Sequence, residues 1–315
     1  MRDPQFVSVD EVGADGDGDV GGEPRGLGGR RPDVTAAPEA EPLISIRDVS
    51  VEFAGRGRRA QAVRALDHVS LDVGHGQTVG IVGESGSGKT TLGRVMLGLI
   101  RPAEGTVLFD GLPLRGPGAF RRLKGRLQVV LQNPDWSLNP ALRVWRSLAE
   151  PLAVTGAARR EDRRAAAMEM LTLVGLDESF ADRRPHELSG GQRQRVAIAR
   201  AMITSPDLIV FDEAVTALDA SVQTQVLNLI HDLQAERGFS AVFISHDLAA
   251  VRYISSHIAV ALRGEIVEFG PVERFYGRAD HPYTRQLLST LPVPHRDRPV
   301  GGTTPGHDAG KETEL

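Results

Sequence analysis

The segment Gly83-Glu84-Ser85-Gly86-Ser87-Gly88-Lys89-Thr90 constrains this chain more than any other. It has the spacing G-x-x-x-x-G-K-[ST]. It follows Gln77–Gly83, an apolar run that reads as a strand, and opens Thr90–Ile100, whose apolar residues recur at helical spacing up to Pro102. A strand, a glycine-rich turn and a helix in that order make a phosphate-binding loop (P-loop). The glycines let backbone N–H groups wrap phosphate oxygens, and the helix start adds its unpaired amides. Lys89 is placed to reach β- and γ-phosphates, and Thr90 to offer a hydroxyl to Mg²⁺. An ordinary glycine-rich strand–helix turn is the alternative, and the flanking context argues against it.

Such a loop belongs to an α/β fold, and the remaining elements suit one. Leu43–Phe53 alternates as a strand does, and Ala65–Val73, Gly105–Gly111 and Arg126–Gln132 read likewise. Asp207–Ala214 and Ser240–Asp247 are continuous apolar runs of the kind buried on both faces of a sheet. Ser221–Gly238 between them is a helix with Val222, Val226, Leu229, Ile230 and Leu233 as its apolar positions. His257–Gly270 predicts a hairpin turning at Arg263-Gly264, and Asp280–Pro292 a short helix with Pro282 in its first turn. The stretch from about 136 to 205 reads as helical throughout, with Gly175 placed to end the amphipathic run Glu161–Gly175. Residues 54–61 form a basic loop, residues 1–42 are Gly/Asp/Glu/Pro-rich without periodicity and are expected to be disordered, and the polar tail from 296 is expected to be loose.

Charge narrows the function classes. The net charge is −4, but residues 1–42 hold ten acids against four arginines, so the remainder stands at +2. A nearly neutral body offers no electrostatic footprint for nucleic acid. No cysteine is present, which excludes disulfides and Cys-ligated zinc or iron–sulfur sites. The longest apolar runs fall far below the ~18 residues of a spanning helix, and no basic-then-apolar leader is visible. Any membrane link is therefore expected to run through a partner.

Five further places carry chemistry. Leu208–Glu213 is an apolar strand ending in two carboxylates. Adjacent strand residues point opposite ways, so Asp212 can support a Mg²⁺ shell while Glu213 faces the γ-phosphate and orients or deprotonates a water. A solvated acidic turn is the plainer reading of that stretch taken alone. His246 ends the next strand, on the edge where ligands bind in open α/β sheets, and can stabilise charge on the γ-phosphate. Gln132 ends a strand before Asn133-Pro134. Its amide can touch Mg²⁺ or the attacking water, although turn chemistry explains the same residues. Phe53, 30 residues before the P-loop, can stack on adenine or serve as a core ring. Leu188-Ser189-Gly190-Gly191-Gln192 begins a helix whose bare N–H groups attract an anion, with capping by Ser189 as the plainer role. The basic runs Phe120–Arg126 and Ala158–Arg164 read as solvated faces.

In this order the motifs resemble the ATP-binding subunit of an ATP-binding cassette (ABC) transporter. The resemblance covers about 43–295: the P-loop, the glutamine loop at Gln132, the signature Leu188–Gln192, the strand Leu208–Glu213, the loop Ala217–Asp219 and His246. It implies an α/β P-loop NTPase (RecA-like) core with an antiparallel β subdomain and a helical signature subdomain near 136–205. The implied ligands are ATP and Mg²⁺, with ATP contacts from Phe53, Gly83, Glu84, Ser85, Gly86, Ser87, Gly88, Lys89, Thr90 and Thr91. Mg²⁺ is expected at Thr90, Gln132 and Asp212, and catalysis at Glu213, His246 and Gln132. Ser189, Gly190, Gly191 and Gln192 are expected to meet the ATP of a second ATPase subunit, with Asp219 in the dimer contact. Transmembrane permease subunits and, indirectly, an extracellular solute-binding protein complete the implied assembly on the cytoplasmic face of the membrane.

Gln132–Pro140, His186–Met202 and the HPYTRQLLSTLP segment, with a C-terminal extension of about 270–295, are similar to the oligopeptide/dipeptide importer ATPases. Nickel importers share much of the pattern, so nickel or another small solute is the alternative cargo. A non-transport ABC ATPase acting on nucleic acid would share the signature but needs long coiled-coil arms or a basic groove. A soluble translation factor of the family would carry two cassettes.

Overall fold

The computed structural model describes residues 41–54 and 62–289. The expectations for residues 1–40, for most of the basic loop (55–61) and for everything from 290 onward lie outside the described residues. In chain order the elements are β1 (Ile44–Phe53), β2 (Val63–Val73), β3 (Thr78–Val82), α1 (Lys89–Met96), β4 (Glu104–Phe109), β5 (Leu112–Pro113), α2 (Ala119–Leu123) and β6 (Leu127–Leu131). Then follow α3 (Val144–Thr155), α4 (Arg163–Leu173), α5 (Gly190–Met202), β7 (Leu208–Asp212), α6 (Ala220–Arg237), β8 (Ser240–Ile244), α7 (Leu248–Ile254), β9 (His257–Leu262), β10 (Glu265–Pro271), α8 (Val272–Gly277) and α9 (Pro282–Ser289).

Among the described residues the strands form two sheets. One is antiparallel, ordered β2-β1-β4-β5, and the other is ordered β10-β9-β3-β8-β7-β6. In the second, β9, β3, β8, β7 and β6 run parallel, and β10 closes one edge as the antiparallel arm of a hairpin. That hairpin turns at Arg263 (φ 49°) and Gly264 (φ 89°), a left-handed pair that matches the strands' own twist. The parallel run brings the C-terminal ends of β3, β6, β7 and β8 to one edge, and every motif that follows a strand emerges there.

The period of two along each strand divides the core. On β7, Leu208 and Val210 join an apolar cluster with α1 and the antiparallel sheet. Ile209 and Phe211 join the opposite cluster, with α3 to α7. On β8, Val242 and Ile244 face the first cluster, and Ala241 and Phe243 the second. Both faces of these strands are thus covered, which explains their unbroken apolar sequence. The helices between residues 144 and 202 pack mainly on one another, around Leu148, Ala167, Leu171 and Val196.

One element is shorter than its pattern. The apolar periodicity runs to Ile100, but α1 ends at Met96 because Gly98 takes φ 69° and closes a two-bond cap. In it the Gly98 N–H donates to Val95 O and the Leu99 N–H to Arg94 O, both at 2.9 Å. Gly175 (φ 71°) ends α4 in the same manner, with Leu176 N–H donating to Leu171 O.

Phe211 and Phe243 are fully buried with ring centroids 6.1 Å apart, beneath the edge that carries the site. Phe243→Ala is expected to lower the unfolding free energy by about 3–5 kcal/mol, read as a shift in the urea midpoint at unchanged slope.

Candidate functional site

β3 is buried at every position, and the chain leaves it at Gly83 with φ 150°. A Cβ on Gly83 would lie 2.1 Å from the carbonyl oxygen of Ala261 on β9, so this turn exists only with glycine. Three residues on, Gly86 (φ 79°) has no atom within 4 Å of where a side chain would start. The loop is therefore tight against the sheet at its root and open at its tip. The first backbone bond of α1 runs from Leu92 N–H to Gly88 O, so the amides of Lys89, Thr90 and Thr91 have no partner within the helix. Ser87 is buried, and its hydroxyl has no hydrogen-bond partner. A bare helix start beside an open glycine loop is an anion cradle by geometry.

Lys89 is 6% exposed. Its Nζ donates to the carbonyl oxygens of Gly83 (2.8 Å) and Glu84 (2.7 Å). Burial pushes this ammonium below its ordinary pKa, and the Glu213 and Asp212 carboxylates oppose the shift. Thr90 Oγ1 donates to Asp212 Oδ1 at 3.0 Å. Burial raises the Asp212 carboxyl, and the Thr90 hydrogen bond pulls it back down, with help from Arg94. A hydroxyl and a carboxylate side by side at the mouth of the loop are the hard oxygen donors that suit Mg²⁺.

Glu213 differs from its expected setting. It is not a strand residue facing away from Asp212. β7 stops at Asp212, and Glu213 takes the left-handed conformation at φ 52°. Its N–H donates to Ile244 O of β8 at 2.9 Å. The backbone kink, not strand alternation, sends the two acids different ways. A left-handed non-glycine residue is uncommon and costs about 1–3 kcal/mol, a cost borne at the position where a carboxylate must be aimed. His246, two residues past β8, has Nδ1 3.8 Å from Glu213 Oε1. Its side chain is 64% exposed against 25% for Glu213, so the pair presents the imidazole outward and holds the acid within.

The P-loop, Asp212, Glu213 and His246 thus meet at one edge. The other candidates have different settings. Gln132 follows β6, and its Nε2 lies 3.4 Å from Thr216 Oγ1. That hydroxyl donates to Glu213 O at 2.9 Å, so Thr216, which the sequence reading passed over, links the glutamine to the acidic loop. Phe53 ends β1 opposite Val63 and is 43% exposed, an available ring rather than a core one. Ser189 and Gln192 cap α5 reciprocally: Ser189 Oγ accepts from Gln192 N–H, and Gln192 Oε1 accepts from Ser189 N–H. Gly190 is exposed at that helix start, while a Cβ on Gly191 would lie 2.5 Å from Val222 Cγ1 of α6. Asp219 caps α6 by accepting from Val222 N–H at 2.9 Å.

Comparison with known proteins adds the family context. Residues 66–216 match the ABC transporter family. The chain is 45% identical over 266 residues to a peptide import ATP-binding protein of Brucella abortus (strain 2308), covering 82% of this chain and 79% of that protein. It is 44% identical over 258 residues to another from Brucella ovis, covering 81% and 80%. Among solved structures it is similar to the ATP-binding cassette MJ0796, a dimer in a post-hydrolysis state bound to ADP and Pi. The TM-score is 0.65 at 31% identity, over 73% of this chain and 99% of that one. It is also similar in fold to cbiO1 from Clostridium perfringens, with TM-score 0.67 at 24% identity over 76% and 92%.

The root of the loop gives a direct test. Gly83→Ala adds strain of roughly 1–3 kcal/mol from its backbone angle on top of the clash with Ala261. It is expected to abolish ATP binding in a titration and to lower the melting temperature. Retained ATP affinity would show that the loop tolerates a different root.

Proposed function

The chain belongs to the ABC transporter family as an ATP-binding and ATP-hydrolysing subunit, and we propose that it energises import of oligopeptides or dipeptides through a membrane permease. The observation that carries the ATPase part is the convergence of the P-loop, the Thr90–Asp212 pair and the Glu213–His246 pair on one sheet edge. The cargo rests on similarity over most of the chain to peptide import ATP-binding proteins.

Each group then has a task. The P-loop amides that follow Glu84, up to Thr91, wrap the phosphates, and Lys89 exchanges its bonds to Gly83 O and Glu84 O for phosphate oxygens. Phe53 supports the adenine with its exposed face. Thr90, Asp212 and Gln132 would hold Mg²⁺, which supplies neutralisation of phosphate charge. Glu213 orients the attacking water and accepts its proton, a role suited to a carboxylate held by its backbone rather than by a flexible loop. His246 donates toward the γ-phosphate. The exposed start of α5 at Ser189, Gly190, Gly191 and Gln192 faces outward, away from any need of its own P-loop. We assign it to the ATP of a second ATPase subunit, with Asp219 beside that interface.

We place the ATPase domain at 43–295, its helical subdomain at about 136–205 and the importer-type extension at about 270–295. Among the described residues no helix is long and apolar enough to cross a membrane. A groove of about 650 Å³ near α1, α2 and α3 exposes Leu99, Phe120 and Val154. It suits the apolar face of a permease helix, which would hold the subunit at the cytoplasmic surface of the membrane, with a solute-binding protein acting from the far side.

Three outcomes test this reading. Glu213→Gln is expected to slow ATP turnover roughly 10²–10⁴-fold while ATP is still bound, and near-normal hydrolysis would remove Glu213 from its role. Ser189→Arg forfeits a cap of about 1 kcal/mol. It is expected to leave ATP binding intact but to block ATP-driven dimerisation; normal dimers and turnover would refute the partner-site assignment. A deletion strain is expected to lose uptake of labelled peptides. Loss of nickel uptake instead would shift the cargo and keep the machine.

A further inference from the structure

The first peptide plane of the P-loop is held from both sides. Its carbonyl, Gly83 O, accepts from Lys89 Nζ at 2.8 Å. Its amide, Glu84 N–H, donates to the hydroxyl of Tyr283 at 3.1 Å. Tyr283 lies on α9, 199 residues further along the chain. It faces the P-loop across a cavity of about 390 Å³ shared with Ser85, Gly86, Ser87 and Arg263.

The start of α9 is fixed closely enough for that contact to have consequences. The carboxylate of Glu268 on β10, 8% exposed, accepts from Asp280 N–H at 2.9 Å and from His281 N–H at 3.0 Å. His281 Nδ1 then accepts from Tyr283 N–H at 3.2 Å. Arg285 donates to Ala279 O and Asp280 O, and Arg274 pairs with Asp280. The body of Tyr283 packs on the apolar cluster beneath. The phenol is therefore delivered to the P-loop by a rigid mount, and it takes an amide on the side of the loop opposite the Lys89 contact.

We propose that Tyr283 is a positioning residue for the nucleotide site, by which the C-terminal helix sets ATP affinity. The inference rests on the reading of Gly83–Thr90 as an ATP site. When Lys89 turns to phosphate oxygens, Gly83 O loses the lysine as donor, while Glu84 O keeps the Ser87 N–H at 3.2 Å. Gly83 has no Cβ and Gly86 has open space around it, so the loop has little side-chain packing of its own to hold it. The Tyr283 hydroxyl is the bond to this plane that persists. It keeps the following amides turned toward the phosphates, so part of the ordering cost of binding is met before ATP arrives.

The test is Tyr283→Phe in the full-length protein, which keeps the ring and removes only the hydroxyl. A hydrogen bond of about 1 kcal/mol corresponds to about fivefold in affinity. The variant is expected to raise the Kd for Mg·ATP and the KM for ATP about 3–10-fold. kcat at saturating ATP should stay at the wild-type value, the melting temperature should fall by no more than about 2–4 °C, and the Glu84 amide should exchange faster with deuterium. An unchanged Kd would overturn the proposal. A joint fall in kcat and melting temperature with no separate KM effect would also overturn it, because Tyr283 would then serve packing alone. Wild-type protein that binds no ATP would instead refute the reading of the site itself.

Discussion

The buried ammonium of Lys89 is the constraint around which the nucleotide edge is organised. A cation removed from water needs compensation, and this one receives it from two P-loop carbonyls and from the field of Glu213 and Asp212. The carbonyls are in reach only because Gly83 bends the chain at an angle that excludes a side chain. The carboxylates are in reach only because β7 lies one strand from β3, separated by β8, with its C-terminal end at the same edge. Parallel strands, a glycine root and two acids are thus parts of one electrostatic solution. Phosphate oxygens can take over the role that the loop carbonyls play for the lysine, which makes the resting arrangement exchangeable rather than inert.

The same edge shows how backbone geometry does work that side chains alone cannot. Glu213 is aimed by a left-handed backbone anchored on β8. Thr216 ties the carbonyl of that residue to Gln132 at the end of β6. A movement at Gln132, which follows the strand β6 that packs against α5, therefore has a hydrogen-bonded route to the acidic loop. At the other end of the edge, α9 reaches the P-loop through Tyr283. The nucleotide loop is consequently in contact with segments nearly 200 residues away.

At the start of α5 one set of residues has local tasks and is proposed for a second. Ser189 and Gln192 satisfy each other's backbone groups, so the helix is stable without a ligand. Gly191 is needed for the approach of α6, since any side chain would meet Val222. These local tasks leave the face at Gly190 open. Capping and recognition of a partner's phosphate are compatible, because the first consumes the inner amides and the second uses the outer surface.

Much of this was legible in the sequence. The P-loop, the strands on each side of it, the hairpin at Arg263-Gly264, the cap at Gly175 and the helix Ser221–Gly238 all rest on signals within a few residues of one another, such as periodicity, glycine placement and capping. Those signals are set by local sterics and hydrogen bonding, which do not wait for the fold. The outcomes decided only in three dimensions depend on distant neighbours. Helical periodicity runs past Met96, yet Gly98 ends α1 there. Strand alternation accounts for two opposed acids, but a kink anchored on Ile244 is what separates them. No local pattern places Thr216 between Gln132 and Glu213, or a phenol from α9 against the amide of Glu84. The sequence by itself determined which chemistry this chain carries and, Glu213 apart, on which kind of element each group sits. Tertiary structure alone decided which of those groups touch, because contact across 84 or 199 residues is set by sheet order and packing, and no short stretch of sequence encodes either.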